Sequence, residues 1–148
     1  MMRLVYHFRM STKKFVGVLN KKIEPGKIMN ALAHMTAGLV GQVSEEVRRE
    51  MEIINYADKY SGAHVASKHP FIILKAENSN KLRTFRQELI TKNIPFASFT
   101  SAMTVGGWEE QVERSKNTPE AELEYYGVVA FGSPVELNEL TRKFSLWV

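Results

Sequence analysis

Three side chains that can hold an anion or move a proton recur along one predicted helix. Lys27, Asn30 and His34 are three and four residues apart, and at about 100° per residue this spacing places them on one stripe. Lysine and asparagine donate hydrogen bonds to carboxylate or carbonyl oxygens, and histidine is the commonest general base. The spacing predicts binding of a small anionic or carbonyl ligand, with Lys27 and His34 as the catalytic groups of any reaction.

The stripe begins near the predicted helix N-terminus, which Pro25 marks. The helix dipole repels a cation there, and an anion bound between Lys27 and the free backbone amides would relieve this conflict. Gly38 and Gly41 extend the stripe. The alternative is a solvent-facing surface whose glycines admit a neighbouring backbone, as in a homo-oligomeric regulatory module. The sequence leaves both interpretations open.

Hydroxyl side chains cluster after a predicted strand, where sites of α/β proteins often lie. Thr100, Ser101 and Thr104 are therefore further ligand-binding candidates. Turn formation is the alternative interpretation of the same cluster.

No metal or cofactor is predicted. His64 and His69 fit no metal-ligand spacing, and the chain contains no cysteine, which excludes disulfides and thiolate ligands. A glycine-rich phosphate loop is absent as well, since Gly106-Gly107 indicates only a turn. We expect Trp108 to anchor the charged segment around it rather than to stack on a base.

Apolar periodicity predicts alternating strands and helices, and hence an α/β fold with a largely parallel or mixed sheet. The stripe of Ile28, Leu32, Met35 and Leu39 marks the buried face of the first helix. Strands are predicted at 15–19, 51–56 (the weakest), 70–76, 96–99 and 125–131.

Capping residues mark the later helices. Ser79 or Asn80 is expected to cap a helix whose buried face carries Leu82, Phe85 and Leu89, and another helix is predicted at 108–115. Ser133-Pro134-Val135-Glu136 has the form of a capping box with proline at the first helical position, which predicts the last helix.

Composition bounds the class of protein. The chain has 148 residues, 44% of them hydrophobic and 24% charged, as is typical of one globular domain. The domain is expected at 13–148 after a flexible lead-in at 1–12. No signal peptide or membrane span is predicted, so the cytoplasm is the expected location.

The segment 106–124 is unusually long for a connection, and we expect it to be mobile and to lie beside the site.

Short motifs stand at both ends of the domain: Phe15-Val16-Gly17-Val18-Leu19, Pro25-Gly26-Lys27-Ile28 with His34, and Val128-Val129-Ala130-Phe131-Gly132-Ser133-Pro134 with Leu146. With these motifs the chain resembles the peptidyl-tRNA hydrolase II superfamily, and it is most similar to a branch catalogued as a domain of unknown function. The resemblance implies a four-stranded mixed sheet flanked by helices, a homodimer, and hydrolysis of the ester that joins a peptide to tRNA. It also implies that Lys27 and His34 are the motif lysine and histidine.

The chain departs from that superfamily where catalysis would be completed. Ala31 stands where the superfamily has a glutamine, and no carboxylate occurs between Glu88 and Glu109, the region of the superfamily's aspartate. Losing one catalytic group commonly costs about 10²- to 10⁴-fold in rate. We therefore expect a ligand-binding protein without the ancestral hydrolase activity. The alternative is an esterase that acts on peptidyl-tRNA or other acylated RNA ends.

Overall fold

The computed structural model describes residues 12–62 and 64–148. The predicted lead-in at 1–12 lies outside them, apart from Thr12. The elements are β1 (Lys14–Asn20), α1 (Pro25–Gln42), α2 (Glu45–Glu50), β2 (Ile53–Asn55), β3 (Val65–Ser67), β4 (Phe71–Ala76), α3 (Ser79–Thr91), β5 (Phe96–Thr100), α4 (Trp108–Asn117), β6 (Tyr125–Gly132), α5 (Pro134–Thr141) and β7 (Ser145–Leu146). Within the described residues, none of the helices combines the length and the apolar character needed to cross a bilayer.

The main sheet is mixed and has the strand order β5-β6-β1-β4-β7. Strands β1 and β4 are parallel neighbours, whereas the other adjacent pairs are antiparallel. The mixed sheet confirms the predicted α/β class, but the expected number of four strands is wrong because the sheet has five. The additional strand β7 has only two residues, which is too short to show any periodicity.

The weak strand prediction at 51–56 is confirmed only in part. Strand β2 covers Ile53–Asn55, but it pairs with β3 in a separate two-stranded sheet and does not join the main one. Both strands are largely exposed. A strand outside the main sheet does not pack against the core and needs no alternating row of buried side chains. This explains why the apolar periodicity at 51–56 is weak.

Helices cover both faces of the sheet. On one face α1 buries Ile28, Met35 and Leu39 against Phe99 and Tyr126. On the other face α3 and α5 enclose a second core, which contains Leu82, Phe85, Leu89, Leu137 and Leu140. The predicted buried faces of α1 and α3 are confirmed, with Leu32 only partly buried. All eight residues of β6 are buried between these layers.

Gly127 in β6 allows α1 to approach the sheet closely. A Cβ atom at this position would lie 2.8 Å from the Met35 methyl carbon and from Leu19 Cδ2, and 3.1 Å from the Val18 carbonyl oxygen. Contacts this short are repulsive in a close-packed interior. The missing side chain therefore sets the depth at which the middle of α1, at Met35, lies over β6.

The structure corrects two predicted helix caps. Asn78, rather than Ser79 or Asn80, caps α3, and its Oδ1 accepts a hydrogen bond from the Lys81 amide at 3.0 Å. Helix α5 does begin at Pro134 with Ser133 as N-cap, but the Ser133 hydroxyl accepts no capping bond. Proline at the first helical position lacks an N–H and has its φ already set for a helix, so α5 starts without that bond.

Replacing each cap residue with alanine tests this correction. Asn78→Ala should lower the free energy of unfolding by about 1 kcal/mol, because it removes the acceptor of a first-turn amide. Ser133→Ala should lower it by less than about 0.5 kcal/mol. Urea denaturation of both variants measures the difference, and a loss in Ser133→Ala as large as that in Asn78→Ala would contradict the assignment.

Candidate functional site

A cleft of about 1040 Å³ opens beside the N-terminal half of α1. One wall is polar and comes from the start of this helix, and the facing wall is largely apolar and comes from β5, β6 and the segment that follows β5. The lining residues are Glu24, Gly26, Lys27, Asn30, His34, Phe99, Met103, Thr104, Val105, Trp108, Gln111 and Tyr126. This volume suits an organic molecule rather than a single ion.

The polar wall follows from the helical spacing of the predicted stripe. Lys27, Asn30 and His34 are exposed on the side of α1 next to its buried stripe, and all three line the cleft. From Lys27 to His34 the helix rises roughly 10 Å. The polar wall therefore spans the length of a small ligand.

Lys27 stands at the positive end of α1. The Glu24 carbonyl accepts the Lys27 amide at 3.0 Å, while the Glu24 side chain makes no capping bond. Among residues 12–62 and 64–148, Lys27 takes part in none of the ion pairs shorter than 4 Å. Its ammonium group is thus available in the cleft, where the helix dipole adds to its positive potential.

Aromatic and aliphatic side chains form the facing wall. Phe99 and Tyr126 are nearly buried, with ring centroids 5.6 Å apart, and the His34 ring lies 6.1 Å from the Phe99 ring. Val105 and Trp108 are exposed, and 76% of the Trp108 surface is accessible. The prediction that Trp108 anchors its segment is therefore wrong, since this side chain contributes to the open cleft.

Hydrogen bonds hold the segment 101–117 together as one unit. Arg114 Nη1 donates to the carbonyls of Ala102 at 3.1 Å and Val105 at 2.6 Å, and Gln111 Nε2 donates to Gly106 at 3.0 Å. Helix α4, which confirms and slightly extends the predicted helix at 108–115, buries none of its residues. Ala102 is buried and Met103 packs against the core, so the start of the segment is anchored there, whereas α4 depends on polar contacts. We call the segment 101–117 the flap.

The end of this connection is fixed more firmly than the flap. Arg83 donates to the Leu123 carbonyl at 2.8 Å and to the Glu120 carboxylate at 3.0 Å. The Tyr125 hydroxyl also donates to Glu120, and burial together with this bond raises the pKa of Tyr125. Of the predicted connection at 106–124, the flap lies beside the cleft, and 120–124 is held against α3.

The predicted hydroxyl residues are divided by the structure. Thr104 lines the cleft and donates to the Ser101 carbonyl at 2.7 Å. Thr100 is buried, and the Ser101 hydroxyl accepts the Glu124 amide at 3.2 Å. Neither Thr100 nor Ser101 is among the residues that line the cleft. Both lie at the end of β5, where Thr100 is buried and Ser101 bonds to the residue that precedes β6.

The sequence prediction missed the carboxylate of the cleft. Glu24 lines it one helical turn before Lys27, whereas the superfamily resemblance implies a carboxylate in the region 96–104. The available signal was its position immediately before Pro25, where a residue occupies the N-cap. The cleft therefore combines a carboxylate, an ammonium group and an imidazole.

Other candidate features lie elsewhere. The described residues contain no cluster of three or more potential metal ligands; His69 is buried with Nε2 2.7 Å from the Glu50 carbonyl, and His64 lies 3.7 Å from Asp58. A second groove of about 890 Å³ follows the free edge of β5, where Gln42 donates to the Phe96 carbonyl. Its lining is uncharged, so the acid–base groups favour the first cleft.

The far end of the α1 stripe is open. Gly38 and Gly41 are exposed, and a Cβ atom at either position would meet no other atom within 4 Å. No neighbouring backbone of the described chain therefore makes use of these glycines.

Comparison with known proteins places the chain beside others without an assigned function. Residues 13–148 match the family described as "Protein of unknown function (DUF2000)". The solved structure of the protein of unknown function Atu0240 from Agrobacterium tumefaciens strain C58 is similar, with a TM-score of 0.78 and 16% identity over 94% of this chain and 100% of that chain. At this identity the similarity shows the fold alone. None of the curated proteins matches the sequence.

The match confirms the predicted resemblance to a domain of unknown function. The wider assignment to the peptidyl-tRNA hydrolase II superfamily stays a prediction.

Proteolysis tests the independence of the flap. A protease of broad specificity should cut first between Gly106 and Thr118, because helix α4 has no buried residue to hold it. Arg114→Ala should speed this cleavage, since it removes the donor to two flap carbonyls, while Arg49→Ala, at an exposed ion pair on α2, should not. Resistance of the whole flap in both variants would show that it is held in some other way.

Proposed function

Because this chain belongs to the DUF2000 family, whose description assigns no function, we propose from the geometry of its cleft that it binds a small organic ligand with an anionic or carbonyl group. Lys27, Asn30 and His34 contact that ligand. The observation that carries the proposal is the Lys27 ammonium, which forms no ion pair with the described residues and lines the cleft at the positive end of α1.

Electrostatics support an oxygen-bearing ligand. A charged hydrogen bond contributes roughly 1.5–3 kcal/mol when its partner is a carboxylate or a polarised carbonyl. The Asn30 amide can donate to the same group, and the His34 imidazole can donate or accept further along the stripe. Glu24 repels a second negative charge, which favours a ligand with a low total charge.

The proposed fold is that of the peptidyl-tRNA hydrolase II superfamily. The mixed α/β sheet, the motif around Lys27 and the run through β6 into α5 support it. The fifth strand β7 pairs with β4 at the edge of the sheet. The remaining strands, β5-β6-β1-β4, therefore still form the four-stranded mixed sheet that the resemblance implies.

An esterase acting on peptidyl-tRNA or other acylated RNA ends is the second candidate. Glu24 favours it, because this residue supplies the cleft with a carboxylate that the segment 96–104 lacks. In such a reaction Glu24 or His34 would activate water and Lys27 would contact phosphate or the ester oxygen. Ala31, which stands where the superfamily has a glutamine, weighs against this candidate.

Titration with pyruvate, which carries both a carboxylate and a carbonyl, tests the binding proposal. NMR amide shifts should cluster at Lys27, Asn30 and His34 and saturate. Lys27→Ala should weaken binding at least tenfold, in line with the loss of a charged hydrogen bond. Lys22→Ala, an exposed lysine outside the cleft, is the control and should bind as the wild type does. Shifts scattered over the surface, or equal affinity in all three proteins, would refute the proposal.

A hydrolase assay separates the two candidates. Turnover of peptidyl-tRNA should remain near the uncatalysed rate even at saturating protein. Hydrolysis that Glu24→Gln and His34→Ala both abolish, with folding unchanged by circular dichroism, would establish the esterase instead.

A further inference from the structure

One wall of the cleft is polar and the other is largely apolar, so a ligand that contacts both walls needs a polar end and an apolar end. We infer, building on the proposed binding function, that the ligand is an amphipathic monoanion: a carboxylate attached to a planar, ring-sized apolar body. The carboxylate contacts Lys27 and Asn30, and the apolar body packs between Phe99, Tyr126 and Trp108.

The apolar wall is larger than a small polar ion can use. Phe99, Met103, Val105, Trp108 and Tyr126 all line the cleft. Aromatic side chains at ligand sites recognise flat apolar groups by stacking and edge-to-face contact. Acetate, phosphate or another compact ion at Lys27 would leave this wall in contact with water.

Trp108 shows that this wall is unfilled. As the first residue of α4 it leaves 76% of its surface exposed. An accessible tryptophan beside partly buried aromatic residues has apolar surface that a ligand can remove from water. A flat body inserted against Trp108 would cover this surface while its acid group remains at α1.

The charged residues that line the cleft favour a ligand with a single negative charge. Lys27 is the one lysine or arginine among the described residues that line the cleft, and Glu24 lines the same space. One cation beside one carboxylate compensates a carboxylate ligand better than a phosphate dianion or a polyphosphate. This charge balance excludes nucleoside polyphosphates from the class we infer.

Calorimetric titration with four probes tests the inference. 2-Naphthoate should bind at least tenfold more tightly than acetate, which lacks the apolar body. It should also bind more tightly than 2-naphthamide, which lacks the charge, and than 2-naphthyl phosphate, which carries a second charge. Equal affinities for 2-naphthoate and acetate, or tighter binding of either naphthyl control, would overturn the inference.

Two variants assign the two ends of the probe. Trp108→Ala should weaken 2-naphthoate at least fivefold and leave acetate unchanged, whereas Lys27→Ala should weaken both acids. Tyr60→Ala is the matched control, because Tyr60 is an aromatic residue exposed to 92% and not part of the cleft lining. Circular dichroism checks that each variant is folded.

The outcomes distinguish this inference from the binding proposal beneath it. If both acids depend on Lys27 but Trp108→Ala changes neither affinity, the amphipathic ligand is refuted and the binding proposal stands. If Lys27→Ala changes neither affinity, the binding proposal is refuted, and the inference fails with it.

Discussion

The packing of α1 across β6 determines where a cleft can exist on this fold. Gly127 brings the Met35 methyl group and the Leu19 side chain into the space that a Cβ atom would occupy. The helix can therefore lie deep on this face, with Ile28, Met35 and Leu39 in the core. The stripe beside these residues remains at the surface, and its first two turns form one wall of the cleft.

One helix thus serves the core and the site with different residues. The stripe of Ile28, Met35 and Leu39 is buried, while Lys27, Asn30 and His34 are exposed. Since the polar side chains contribute little to packing, replacing them should affect binding more than the free energy of unfolding. This separation makes Lys27 an informative position for substitution.

The sequence predicted those features that depend on periodicity. The buried faces of α1 and α3 and the start of α5 at Pro134 all follow from local patterns. Local patterns could not identify the two-residue strand β7, because it exists only through pairing with β4. Likewise, Asn78 and its neighbours Ser79 and Asn80 are all favourable caps, and the entry of the chain from β4 selects Asn78.

The candidate site was predictable only on its helical side. Lys27, Asn30 and His34 share a stripe, and one helix fixes their relative positions. Whether they share a cleft with Phe99, Tyr126 and Trp108 depends on how β5, β6 and the flap are placed against α1. The same tertiary placement brings Glu24 into the cleft.

The two walls of the cleft also differ in how they are held. Side chains packed in the core anchor α1, so the positions of Lys27 and Asn30 are fixed to within the motion of the core. Helix α4 buries no residue, and the flap is tied by Arg114 and Gln111 to its own carbonyls. A segment with few core contacts can shift as a unit at low cost in free energy. The wall proposed to bind charge therefore has a fixed backbone, whereas the wall at Trp108 can adjust to apolar bodies of different width.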